Sequence, residues 1–200
     1  PAHSILSDTQ GKWFNNNLKY DEYNPEAAKE LLKEAGYPNG INIEISVRAG
    51  TAVYEQIAVL LQSQLEKAGI NVKVELLERA TLVDSYQTLS YQATVLQWVD
   101  DFPDPSGIMN WTVEYSQSDA WYTGLNDKEL EEINRQANVE LDEVKRVKLY
   151  HEIQQRIYDN ANVIPLFGNS FVWAASKNVE NLYVSPLYVL KAMNLSMKAK

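Results

Sequence analysis

An α/β fold, a mixed sheet flanked by helices, is what this sequence predicts, and three observations carry it. Ile41, Ile43, Ile45 and Val47 alternate with polar residues, as do Ile70, Val72, Val74 and Leu76; a period of two marks a strand with one buried face. Between them Val53, Ile57, Leu60, Leu61 and Leu65 repeat at helical spacing. Short links join the three segments, so they form a strand–helix–strand unit with parallel strands.

The other elements follow in order. Residues 1–23 show no sustained period, and 11–17 are polar and turn-rich, which predicts an extended or irregular lead-in. Asn24-Pro25-Glu26 opens a helix: Asn24 caps, Pro25 suits the first helical position and Glu26 complements the dipole. Ala27, Ala28, Leu31, Leu32 and Ala35 make its apolar stripe, and Gly36 ends it. Tyr37-Pro38-Asn39-Gly40 is a turn into the first strand. Ala68-Gly69 closes the second helix as Ala35-Gly36 closes the first. Residues 79–88 read as a short helix and 91–98 as a third strand. Residues 110–124, rich in Trp, Tyr, Ser and Asn, read as irregular surface. Asn126 caps a helix through Leu130, Ile133 and Ala137, and another follows through Val144, Val147, Tyr150, Ile153 and Ile157. After the break at 159–162 come short strands at 163–167 and 171–175. The tail from Asn178 has apolar residues without a period and suits packing against another part of a larger protein.

With 200 residues, one large domain or one domain plus an appendage is expected. Asp and Glu number 27 against 18 Lys and Arg, and no basic cluster exists. That excludes nucleic acid, whose phosphates need neutralising. No apolar run approaches the roughly 20 residues of a membrane span. Pro1-Ala2-His3-Ser4 has neither the basic nor the apolar region of a signal peptide, and the lack of a start methionine fits a processed or excised chain. Without cysteine there are no disulfides, thiolate metal sites or cysteine nucleophiles. The 12 Tyr and 5 Trp suit recognition surfaces, because each joins a flat apolar face to a polar tip.

The candidate site is Leu96-Gln97-Trp98-Val99-Asp100-Asp101-Phe102-Pro103-Asp104-Pro105. Three carboxylates crowd into five residues, and two prolines stiffen the turn. An acidic loop at the carboxyl end of a buried strand lies where α/β folds place ligands. Several uses compete. A solvated acidic turn is the plain one. Calcium at Asp100, Asp101 and Asp104 would find oxygen donors, without the glycine and distal glutamate of a calcium loop. Adjacent Asp100 and Asp101 point apart on regular backbone, against a glycosidase pair. Holding a ligand ammonium group fits best, since charge-assisted hydrogen bonds are strong and Trp98 could wall the pocket. Other catalysis has little support: His3 and His151 are the only histidines, and neither a nucleophile elbow nor a phosphate-binding glycine loop is present.

Four stretches resemble one family: residues 20–38, with Tyr20-Asp21, Asn24-Pro25-Glu26, Leu31-Leu32 and Ala35-Gly36-Tyr37-Pro38; residues 65–72, with Ala68-Gly69-Ile70; Trp98 to Pro105; and residues 142–165, ending in Val163-Ile164-Pro165-Leu166. Together, over about residues 20–185, the chain resembles the C-terminal part of the bacterial extracytoplasmic solute-binding proteins of the oligopeptide/dipeptide/nickel class, family 5, receptors of ABC importers. The resemblance implies the second lobe of a periplasmic-binding-protein-like (type II) fold. Residues 24–179 would be the ligand-binding lobe, 1–23 the crossing from a first lobe and 180–200 the return. It implies that Asp101 holds the α-amino group of a peptide-like solute and that the backbone of Trp98 and Val99 pairs with the ligand. Asp100, Trp111 and Trp121 complete the expected ligand-binding set. Asp100 stands where the family often has a small residue, and residues 91–98 offer no arginine for a ligand carboxylate. No enzymatic activity, cofactor or bound metal is expected. The expected partners are a peptide or other small solute and the importer's membrane permease. The protein would be a monomer in the periplasm or a cell-surface lipoprotein. A carbohydrate receptor of the same family, or a carbohydrate-active enzyme using the acidic loop, are the alternatives.

Overall fold

In the computed structural model, residues 2–99, 102–118, 123–185 and 189–198 are described. The chain divides into two units, one made of residues 21–98 and 115–126, the other of residues 1–20, 99–114 and 127–200.

The first unit holds the strand–helix–strand motif. Asn24 Oδ1 accepts from the Ala27 amide at 3.0 Å and starts α1, Pro25–Glu34. β1 (Ile41–Arg48), α2 (Ala52–Glu66) and β2 (Ile70–Leu77) follow. β1 and β2 pair parallel over their full length, with Ile43 opposite Val72 and Ile45 opposite Val74. Ile45, Val47, Ala58, Val72 and Val95 form the core, and Ile57, Leu61 and Leu65 of α2 pack against it. Gly40 permits the start of this pairing. Its φ is +79°, and a Cβ there would overlap the Gly69 carbonyl oxygen, the acceptor of the Ile41 amide at 3.0 Å.

α3 (Arg79–Gln87) leads to β3, Ala93–Thr94, which joins β1 on its other edge in parallel. The sheet order is β2-β1-β3. The third strand expected over 91–98 thus shrinks to two residues. At its start, Tyr91 turns edge-on to the Tyr86 ring, and the Gln92 side chain accepts from the Glu44 amide at 2.6 Å. Beyond it, the chain leaves the ladder, and Leu96 and Gln97 are exposed.

The second unit is helical. α4 (Ser106–Val113) fills part of the stretch expected to be irregular surface, and the short α5 (Tyr115–Ser118) after it returns the chain to the first unit. Ile108, Met109, Thr112 and Val113 are buried. Their spacing of one, four and five residues is a helix face, masked in the sequence by aromatic and polar neighbours. α6 (Lys128–Val139) is capped by Asp127 rather than Asn126: its Oδ1 accepts from the Glu129 and Leu130 amides, both at 3.0 Å. α7 (Glu143–Asn160) is capped by Asp142 and stops at Ala161 in the left-handed region. Leu130, Ile133, Ala137, Tyr150, Ile153 and Ile157 form the core between α6 and α7.

Instead of remaining irregular, the lead-in forms a 3-10 helix at Asp8–Trp13 that binds α7 through Gln154. Gln154, 1% exposed, accepts from Ser4 Oγ at 2.8 Å and the Asn15 amide at 3.0 Å. It donates to the carbonyls of Trp13 at 2.7 Å and Tyr150 at 2.9 Å. Residues 163–167 and 171–175 form no ladder, contrary to the expected short strands. Val172 is 89% exposed, so the β-type pattern there lacks a partner surface among the described residues. β4 (Val179–Glu180) and β5 (Ser196–Met197) pair antiparallel in a separate sheet.

Candidate functional site

The candidate loop runs on from β3. Val95 is buried in the sheet core, Trp98 is half-buried and Val99 is exposed. Asp100 and Asp101 lie outside the described residues, and so does Trp121. The chain is described again from Phe102, and from there it is held firmly. The Phe102 ring lies over Gly107, where a Cβ would stand 3.2 Å from the ring carbon Cζ. The Asp104 amide donates to the Phe102 carbonyl at 2.9 Å, and Asp104 Oδ1 accepts from the Ser106 amide at 3.0 Å. Pro105 is buried at the entry to α4.

Asp104 is the third loop carboxylate, and it is committed to an ion pair. Arg146 of α7 grips it with both terminal nitrogens, Nη1 to Oδ2 and Nη2 to Oδ1, each at 2.8 Å. Such forked pairs combine charge with fixed geometry. The Arg146 hydrogen bond, helped by those from Ser106, holds the Asp104 carboxyl down to a pKa of about 2, against the partial burial that would raise it. Arg146 is itself oriented. Its Nε donates to the Ala137 carbonyl at 2.8 Å, and its guanidinium carbon lies 5.1 Å from the ring centres of Trp13 and Tyr150.

From Arg146 a polar network continues through α6 and α4. Arg146 Nη2 donates to the Tyr150 hydroxyl at 3.2 Å, and that hydroxyl donates to Asn138 Oδ1 at 3.1 Å. Asn138 and Asn134 both donate to Asn110 Oδ1 at 2.8 Å. Asn134 also donates to Glu114 Oε1 at 2.8 Å, and Arg135 pairs with Glu131 at 2.8 Å. Burial pushes the Tyr150 phenol up, so it stays a neutral donor in this chain of bonds.

Among the expected site residues, Trp98 and Val99 flank the acidic pair in the chain, while Trp111 lies on α4, partly exposed. Arg146 is the residue that motif reading of the loop missed. The only sequence signal for it was its place in the stretch 142–165 that shares the family resemblance. His151 bonds the Lys12 carbonyl at 3.0 Å, an attachment of the 3-10 helix. Among the described residues no helix is long and apolar enough to cross a membrane.

A parallel sheet whose last strand feeds an anchored acidic loop belongs to the periplasmic binding proteins. The dipeptide binding protein from Pseudoalteromonas sp. SM9913, solved in complex with Met-Leu, superposes with a TM-score of 0.83 over 98% of this chain and 40% of its own, at 24% identity. The chain is a member of the bacterial extracellular solute-binding proteins, family 5, whose "family 5 Middle" description matches residues 1–120. Relatives include the probable D,D-dipeptide-binding periplasmic protein DdpA of Escherichia coli strain K12, 30% identical over 85% of this chain and 33% of its own length. Di/tripeptide-binding protein 4 of Pseudomonas aeruginosa strain UCBPP-PA14 is 28% identical over 87% of this chain and 34% of its own. The chain thus spans about a third of the length of these relatives.

Proposed function

We propose that this chain is the second lobe of the receptor of an ABC importer, taking a peptide-like solute in a crevice shared with a first lobe. Residues 24–179 form that lobe, and 1–23 and 180–200 connect it to the other. Asp101 holds the ligand's amino group, with Asp100 adding negative charge beside it. Trp98 and Val99 offer backbone groups to the ligand main chain, as an added strand would use them. Trp111 and Trp121 contribute aromatic surface. The receptor is a monomer outside the cytoplasm that hands its solute to a membrane permease, and it catalyses nothing.

The observation that carries this reading is the family match over residues 1–120, which includes the whole acidic loop. The names of the relatives support a short peptide as solute. An ammonium–carboxylate pair is strong where water is excluded and is worth only about 0–1 kcal/mol when exposed. One lobe alone leaves the pair in water.

Calorimetry on the full-length receptor tests this. Asp101→Asn should weaken a dipeptide with a free amino terminus by about tenfold or more, the loss of a charged hydrogen bond. Its N-acetylated counterpart should change far less. Equal losses would show that Asp101 does not hold an amine. Tight binding by the 200-residue chain alone would show that one lobe suffices.

A further inference from the structure

We propose that Arg146 is a positioning residue for ligand recognition: by gripping Asp104 it fixes the acidic loop and so sets the aim of Asp101. The inference rests on the amine-holding role given to Asp101 above. Three observations support it. First, Arg146 comes from α7, 42 residues from Asp104 in sequence, so the pair ties the loop to a helix rather than to its own neighbours. Second, the guanidinium is held before it meets the loop, by the Ala137 carbonyl and by the Trp13 and Tyr150 rings. Third, the loop is anchored at successive points just past Asp101. Phe102 lies on Gly107, Asp104 is in the fork, and Ser106 bonds back to Asp104.

Pro103 and Pro105 fix φ between these anchors, so little freedom remains from 102 to 106. Asp101 directly precedes this held stretch. Its backbone direction therefore depends on an ion pair it does not touch. A lysine in place of Arg146 would keep the charge, but as a point charge without the planar fork it cannot fix the rotation of the Asp104 carboxylate. The surface ion pairs elsewhere, such as Lys29 with Glu26, join neighbours on one helix and position nothing beyond it.

The test uses the full-length receptor as wild type, Arg146→Gln and Arg146→Lys. Hydrogen exchange of peptides covering residues 96–107 reads the loop. Calorimetry with a free-amine dipeptide and its N-acetylated counterpart reads its use. Loop exchange should quicken by about tenfold or more in both variants while that of β1 and α2 stays as in wild type. Affinity for the free-amine dipeptide should fall about tenfold, with a change several times smaller for the acetylated one. Wild-type loop exchange in Arg146→Gln overturns the proposal. So does an equal loss for both ligands, which marks a purely structural role, or full rescue by Arg146→Lys, which marks charge alone. If the wild-type receptor binds neither dipeptide, the peptide reading itself fails, and loop exchange decides the positioning role.

Discussion

Replacing Asp104 by Asn removes the charge that Arg146 grips and nearly preserves the shape. The Asp104 carboxyl titrates at about 2 in the fold against an ordinary 3.8. A depressed carboxylate stabilises the fold fully above the unfolded value, and the contribution is lost as pH falls from 3.8 through about 2. At roughly 1.36 kcal/mol per unit, the shift gives an upper bound of about 2.5 kcal/mol. The Asp104 side chain is 33% exposed, and water screening there reduces the expected contribution to about 1 kcal/mol. Asn keeps one acceptor for the fork, which limits the cost further. Urea unfolding followed by far-UV circular dichroism, in parallel for wild type and Asp104→Asn, isolates the term, because every other titrating group cancels in the difference. The gap should be about 1 kcal/mol at pH 7 and close towards zero near pH 2. A gap that stays constant from pH 7 to 2 would refute the linkage, and no gap at neutral pH would show that the fork contributes nothing.

Gly40→Ala should destabilise the sheet unit by about 2 kcal/mol or more, since it combines a positive φ with backbone overlap at Gly69; an unchanged urea midpoint would contradict the geometry. Gln154→Ala strips four hydrogen bonds from a buried site and should cost about 3 kcal/mol. The same variant should expose residues 2–15 to limited proteolysis, and wild-type resistance there would show that other contacts hold the segment.

What the sequence made legible was the local part of the fold. The alternation in β1 and β2 and the stripe of α2 are period signals, and the parallel pairing follows from the short links. The length of β3 was not legible, because ladder length depends on what Gln92 and Tyr91 do with their side chains and not on apolar content. α4 was hidden because Trp111 and Asn110 interrupt the visible pattern of its buried face. Residues 163–167 carried a strand pattern, but a strand also needs a partner edge, and a single chain segment does not state whether one is there. The loop was legible as acidic and stiff. Its anchoring was not, since Arg146 reaches Asp104 only through the packing of α7 against the 3-10 helix and α6.

The bond between Ser4 and Gln154 spans 150 positions. The sheet unit draws most of its contacts from the single stretch 21–98, so its closures are short and can form early. The helical unit takes its first piece from residues 1–20 and its centre from α7. On a ribosome, those opening residues wait without their glutamine until more than three-quarters of this chain has been made, and the loop they must then close encloses the whole sheet unit. Arg146 reaches Asp104 in that same late step, which makes the anchored loop one of the last parts of this chain to acquire its shape.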